Sequence, residues 1–216
     1  NPAKYNGYKV YGEDGCQITT KAAEEILAEI EKLDYFKDVL RIDFEKGIEE
    51  NLISWIDESI YTKFVEAVKD QSLLGDEEIN KNVAIVYSPL NGTGLEPVLR
   101  TLRESGYSNI TVVEEQRYPD GNFPTCHYPN PEIKEAMALG MEYAKRYNAD
   151  LLLATDPDCD RVGIAVKNDD GEYTLLSGNE TGILLLDYIC SRRQALGRMP
   201  EDAVIVKTIV TIDMAE

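Results

Sequence analysis

An acidic hexapeptide, Asp156-Pro157-Asp158-Cys159-Asp160-Arg161, is set between two short apolar runs at 151–154 and 162–166. Each run has the length of a buried strand, so the acidic stretch falls where one strand ends and the next begins. Alternate residues of an extended chain point to one side, which predicts that the three carboxylates face the same way. Pro157 fixes its own φ and confines Asp156 to extended conformations. Three carboxylates about 7 Å apart repel by roughly 2–3 kcal/mol per pair at an effective dielectric of 20. A hard divalent cation such as magnesium relieves that repulsion, and Arg161 adds a donor fork suited to a phosphate. The plainer alternative is a polar turn, because Asp and Pro are ordinary turn residues. Three evenly spaced aspartates and an arginine exceed what a turn requires. A calcium-binding helix–loop–helix also opens D-x-D-x-D, but Arg161 and Lys167 stand where it needs Gly and Glu.

The residues ahead of this loop alternate between strand and helix patterns. Residues 83–87 read as a buried strand, 88–94 as a glycine-bearing loop, and Leu95, Val98, Leu99 and Leu102 as a helix face stopped at Ser105-Gly106. That loop is either an anion cradle on a helix N-terminus or simply a tight connection; it lacks the Gly-Lys-Ser/Thr of a nucleotide-binding loop. A strand at 110–113 and a proline-rich loop follow. Asn130 and Pro131 then predict the start of a helix whose inner face is Ile133, Ala136, Met137, Gly140, Ala144 and Tyr147. The order strand–helix–strand–helix–strand–strand predicts a three-layer α/β domain with a mixed sheet and an antiparallel last strand. Ligands of such sheets gather at the carboxyl ends of strands, where the acidic loop falls.

The flanks are less regular. A strand at 8–11, a turn at 12–15 and a helix capped by Thr20, with the stripe Ala23, Ile26, Leu27, Ile30 and Leu33, are expected first. Gly47 reads as a break, and Ser54 as the cap of a helix presenting Ile53, Ile56, Ile60, Phe64 and Ala67. At the other end, residues 178–196 predict a helix and 203–210 a strand.

With 216 residues, 43% of them apolar, the chain can bury one large or two small cores. A net charge of −18 argues against a general nucleic-acid or anionic-membrane surface, and no apolar run approaches a membrane span. An anionic ligand needs a locally positive site within that field, which a metal, Lys9 and Arg161 can supply. Cysteines 16, 126, 159 and 190 lack metal-ligand spacing and read as thiols of a reducing cytosol. The chain opens on Asn-Pro-Ala-Lys without an export leader, which also predicts a cytoplasmic protein. His127, the single histidine, reads as incidental.

The D-P-D-x-D-R pattern at 156–161 resembles the metal loop of the α-D-phosphohexomutases, the phosphoglucomutase and phosphomannomutase family. Asn1-Pro2-Ala3-Lys4-Tyr5-Asn6-Gly7-Tyr8-Lys9 is similar to that family's S-H-N-P-x-x-x-N-G-x-K segment without its first two residues. Pro89-Leu90-Asn91-Gly92-Thr93-Gly94 and the stretch 123–132 (FPTCHYPNPE) also resemble family segments, in family order. The resemblance implies the C-terminal part of mutase domain I at 1–44, domain II at 45–176 and the start of domain III at 177–216. It implies magnesium on Asp156, Asp158 and Asp160, with Arg161 orienting the migrating phosphoryl group. Lys9 would handle the proton of the reacting sugar hydroxyl, and Lys207 would face the substrate. From the residues alone, Lys9 reads rather as a surface lysine on an edge strand and Lys207 as an ordinary strand lysine. The family nucleophile, a phosphoserine, falls two residues before Asn1, and the distal phosphate clamp falls beyond Glu216. The implied activity is therefore interconversion of hexose 1-phosphate and hexose 6-phosphate through a bisphosphate, with flanking mutase domains as partners and this chain inactive alone. Two alternatives stay open. One is a phosphatase of the haloacid-dehalogenase type with an aspartate nucleophile, although Asp160 stands where its motif has Thr or Val. The other is a metal-binding domain without catalysis.

Overall fold

A computed structural model describes residues 9–208. The chain forms two compact units that divide between Tyr61 and Thr62.

The first unit is helical. Tyr11 and Gln17 form one antiparallel bridge around a turn at 12–15, so the expected strand reduces to a single bridge; its residue Tyr8 lies outside the described residues. Helix α1 (Thr20–Ile30) is capped by Thr19 rather than Thr20, the Thr19 hydroxyl accepting from the Ala22 amide at 3.3 Å. Gly47 does not break the chain. It lies buried inside α2 (Phe44–Glu49), where an added Cβ would come within 2.5 Å of Ile53 Cδ1. A glycine in a helical pattern was here a point of close approach, which periodicity alone does not distinguish from a stop. Helix α3 (Glu58–Lys69) starts in the first unit, continues from Thr62 in the second, and begins after Asp57, whose side chain accepts from the Ser59 amide at 2.9 Å. Ser54 is therefore not its cap, and Ile53 and Ile56 precede it. Its buried residue is Val65, while Ile60 and Phe64 are exposed.

The second unit is built on a five-stranded sheet ordered β2-β1-β3-β4-β5. Strands β1 (Ile85–Ser88), β2 (Ile110–Val112) and β3 (Leu151–Thr155) are parallel. Strands β4 (Val162–Lys167) and β5 (Tyr173–Leu176) add antiparallel. Helix α4 (Leu95–Glu104) connects β1 to β2, and α5 (Lys134–Tyr147) returns from β2 to β3. These two crossovers step in opposite directions along the sheet, so right-handed connections place α4 and α5 on opposite faces. The expected mixed sheet between helical layers is what forms. The expected helix start at Asn130 is not: α5 begins at Lys134, and Asn130 instead accepts from the Glu132 amide at 3.0 Å in the preceding turn. The inner face of α5 uses Tyr143 in place of Tyr147, which is 52% exposed.

The core lies between α5 and the sheet. Val86, Leu152, Ala154 and Ala165 alternate along their strands with residues of the other face and pack with Ala136, Met137 and Ala144. Tyr87 and Thr155 belong to the opposite face, where their hydroxyls share a buried hydrogen bond of 2.9 Å. Helix α6 (Gly178–Ala195) follows β5 and starts with a capping box of Ser177 and Glu180. Residues 203–208 form no strand, and Val206 is 90% exposed; Ile209 and Val210 lie outside the described residues. A β-rich run becomes a strand only where an edge accepts it, and none of the five strands pairs with 203–208.

Candidate metal centre

Strand β3 ends at Thr155, and the chain turns over Asp156-Pro157-Asp158-Cys159 before β4 starts at Val162. The Cys159 amide donates to the Asp156 carbonyl at 2.9 Å, and Cys159 takes a left-handed φ of 60°. The three carboxylates converge as expected, but by a different device. An extended chain would align them by alternation; here a tight turn folds them together. One oxygen from each of Asp156, Asp158 and Asp160 lies within 4.8 Å of the others. Opposite oxygen ligands of a magnesium ion stand about 4.2 Å apart, so the spread is close to that of a coordination shell.

The three differ in setting. Asp156 is 5% exposed, whereas Asp158 and Asp160 are exposed. Burial pushes the Asp156 carboxyl above its ordinary range, and the charges of Asp158 and Asp160 push the same way; the Arg161 amide, donating to Asp156 Oδ1 at 2.9 Å, opposes them. The Arg161 guanidinium stands 3.8 Å from Asp156 and 3.9 Å from Asp160, with its side chain still open to solvent. It therefore offsets the acidic cluster while keeping donors for an incoming anion. Burial also raises the Cys159 thiol, which argues against a reactive thiolate there.

The glycine-bearing loop at 88–94, together with Gln116, which the sequence did not single out, holds the acidic turn in place. The loop after β1 lies against it: the Thr93 amide and hydroxyl both donate to the Pro157 carbonyl, at 2.9 and 3.1 Å. Leu90 and Asn91 take successive left-handed φ values of 46° and 56°. The Asn91 side chain bonds the carbonyls of Glu115 and Tyr118, and buried Gln116 joins Ser88 to Thr125. The Asn91-Gly92 pair is a sequence signal for such a turn; the partners of Gln116 have none.

Lys9 belongs to the first unit, where it is exposed. Lys207 lines a cavity of about 480 Å³ with residues of α6, among them Gly178, Asn179 and Ile183. It does not stand on the expected strand. The motif residues 1–8 lie outside the described residues. Among the described residues, no helix is long and apolar enough to cross a membrane.

The family model for phosphoglucomutase/phosphomannomutase alpha/beta/alpha domain II matches residues 62–171, and that for domain I matches 1–37. A phosphoglucomutase of Staphylococcus saprophyticus is 33% identical over the whole of this chain, which covers 38% of that relative. A phosphomannomutase of Mycoplasma pneumoniae is also 33% identical over the whole chain, again covering 38% of its length. The crystal structure of a phosphoglucomutase/phosphomannomutase family protein from Burkholderia thailandensis aligns with 62% of this chain and 26% of its own, at 24% identity and a TM-score of 0.49. With a domain II match over half of the chain that takes in β1 to β4 and the acidic turn, the chain belongs to the phosphoglucomutase/phosphomannomutase family.

Proposed function

We propose that the protein is a phosphohexomutase interconverting hexose 1-phosphate and hexose 6-phosphate. This chain would supply the end of domain I (1–44), domain II with the metal loop (45–176) and the start of domain III (177–216). The observation that carries the reading is the convergence of Asp156, Asp158 and Asp160 beside Arg161 at the carboxyl end of β3. Three carboxylate oxygens at this spacing suit magnesium, which prefers hard oxygen donors and leaves room in its shell for water or a phosphate oxygen. Magnesium bound there supplies Lewis-acid stabilisation of charge on a transferring phosphoryl group.

The chain's own residues then have separate tasks. Asp156 is held by the Arg161 amide and anchors the cluster, while the exposed Asp158 and Asp160 complete it. Arg161 directs guanidinium donors at the phosphoryl oxygens and orients the group for transfer. Lys9, by the N-G-x-K match, moves the proton of the reacting sugar hydroxyl, and Lys207 contacts the substrate. The nucleophile, a phosphorylated serine, and the distal phosphate clamp belong to other parts of the protein. Phosphoryl passes from that serine to the hexose phosphate, giving a bisphosphate, and the second phosphoryl returns to the serine. This chain alone is accordingly inactive. A cytoplasmic setting accords with the free cysteines at 16, 126, 159 and 190.

The test is conversion of glucose 1-phosphate by the full-length protein with magnesium and a bisphosphate activator, beside Asp158→Asn. The expected results are turnover in the parent, a loss of about a hundredfold or more in the variant, and none above background in residues 1–216 alone. Turnover by residues 1–216 that is lost in Asp156→Ala would place the nucleophile within this chain and favour aspartate-nucleophile chemistry.

A further inference from the structure

We infer that Gly92 and Thr93, in the loop after β1, are positioning residues that set the geometry of the acidic turn and thereby its affinity for a divalent cation; this rests on the metal reading above. Two contacts carry the inference. Thr93 directs both its amide and its hydroxyl into one acceptor, the Pro157 carbonyl, at 2.9 and 3.1 Å. Gly92 lies so close behind the turn that an added Cβ would come 2.3 Å from Pro157 Cα and 2.6 Å from its carbonyl oxygen.

The consequence follows from the planarity of the peptide. Holding the Pro157 carbonyl fixes the plane that contains the amide nitrogen and Cα of Asp158. On the far side of Asp158, the Cys159 amide is held by the Asp156 carbonyl at 2.9 Å. Asp158 is thus suspended between two pinned peptide planes, which set where its Cα–Cβ bond points and so from where its exposed carboxylate reaches toward Asp156 and Asp160. Asp156 is pinned separately, through the Arg161 amide. The loop that does the pinning is itself braced: the Asn91 amide donates to the Gln116 carbonyl at 2.9 Å, and the Leu90 amide to the Ser88 hydroxyl at 3.1 Å. Neither Gly92 nor Thr93 offers a ligand; both act through Asp158.

The experiment titrates residues 1–216 with Mn2+, followed by water-proton relaxation and displaced by Mg2+, for the parent, Asp158→Asn, Thr93→Val, Thr93→Ser and Gly92→Ala. A core variant, Leu99→Ala, serves as a control that lowers stability without touching the turn. Thr93→Val keeps shape and the backbone bond but removes the hydroxyl donor, and should weaken Mn2+ about threefold to tenfold. Thr93→Ser should restore the parent affinity. Gly92→Ala displaces the turn and should cost about tenfold or more, the range of substitutions behind metal ligands. Leu99→Ala should lower the melting temperature and leave the affinity of the folded protein unchanged. Parent and Asp158→Asn binding alike would overturn the metal reading itself. A parent that binds better than Asp158→Asn, with Thr93→Val and Gly92→Ala both folded and indistinguishable from it, would overturn the positioning role alone. So would loss of affinity in Leu99→Ala equal to that in Thr93→Val, because stability rather than geometry would then set the binding.

Discussion

Helix α1 and helix α5 carry comparable apolar stripes, yet they end in opposite states. On α5, Ala136, Met137, Gly140, Tyr143 and Ala144 are buried against β1 and β3. On α1 no residue is buried; Ile26 and Leu27 are about half exposed, and elsewhere in that unit Phe36 is 99% and Trp55 82% exposed. The stripe predicts a helix and the side it would bury, but burial requires a partner surface, which the sheet gives α5 and no described residue of the first unit gives α1 in full. The site inherits this difference. The acidic turn grows out of β3, the central strand of the sheet, and so stands on an element packed into the core.

The largest expected contrast tests that difference directly. Leu152→Ala removes a fully buried side chain from the centre of the sheet and should destabilise the second unit by about 2–5 kcal/mol. Leu27→Ala, on the exposed stripe of α1, should stay within about 0.5 kcal/mol, because Ala and Leu are both good helix formers. Urea unfolding followed by circular dichroism at several protein concentrations checks both. A Leu27→Ala cost near that of Leu152→Ala would show the α1 stripe to be covered in solution.

A middle effect concerns the face of the sheet beneath the acidic turn. Tyr87→Phe deletes one half of the buried Tyr87–Thr155 hydroxyl pair and leaves Thr155 without it. The expected cost is about 1–2 kcal/mol in the second unit. The Tyr87 phenol is itself held well above its ordinary value by burial, so this cost should not vary with pH across the neutral range. A cost that changes between pH 6 and 9 would mean that the pair is not the neutral hydrogen bond drawn here.

How much of this was legible in the residues differs between the same two regions. The strands, the acidic turn and the helices of the sheet unit could be read because β1 and β3 are short apolar runs and α4 ends at Ser105-Gly106. Strand β5 was missed although Asp170-Gly171 ahead of Tyr173 is a good hairpin signal, since only four residues follow it as strand. The convergence of the aspartates was predicted for the wrong reason: the left-handed φ at Cys159 has no marker in a cysteine. Gln116, which braces the neighbouring loop, looks like any polar loop residue until its partners Ser88 and Thr125 are brought together by the fold. Around Gly47 and Ser54 local signals misled because helix starts and stops there were settled by contacts such as Gly47 on Ile53.

The smallest effect separates the function of the acidic turn from its stability. Burial and the neighbouring charges of Asp158 and Asp160 raise the Asp156 carboxyl above its ordinary value of 3.8. A carboxyl whose value is higher in the folded than in the unfolded chain binds its proton more tightly when folded. The stability it permits is full below the unfolded value and declines as pH rises from there through the folded one. At neutral pH, without metal, the ionised Asp156 is therefore a net cost. Asp156→Asn keeps an oxygen for the Arg161 amide and removes the charge, so it should raise the stability of the metal-free protein by about 1 kcal/mol at pH 7. That advantage should shrink as pH falls through the raised Asp156 value and below 3.8, where Asp156 takes up its proton and becomes neutral like Asn. Adding magnesium should reverse the order at pH 7, because a cation bound to the folded parent stabilises it by mass action and the variant has lost a ligand. Thermal melts at several pH values, with chelator and with magnesium, measure each arm. A variant no more stable than the parent in chelator would show that the three carboxylates impose no strain on this fold, and the contrast between a well-packed strand and the repelling turn it carries would fail.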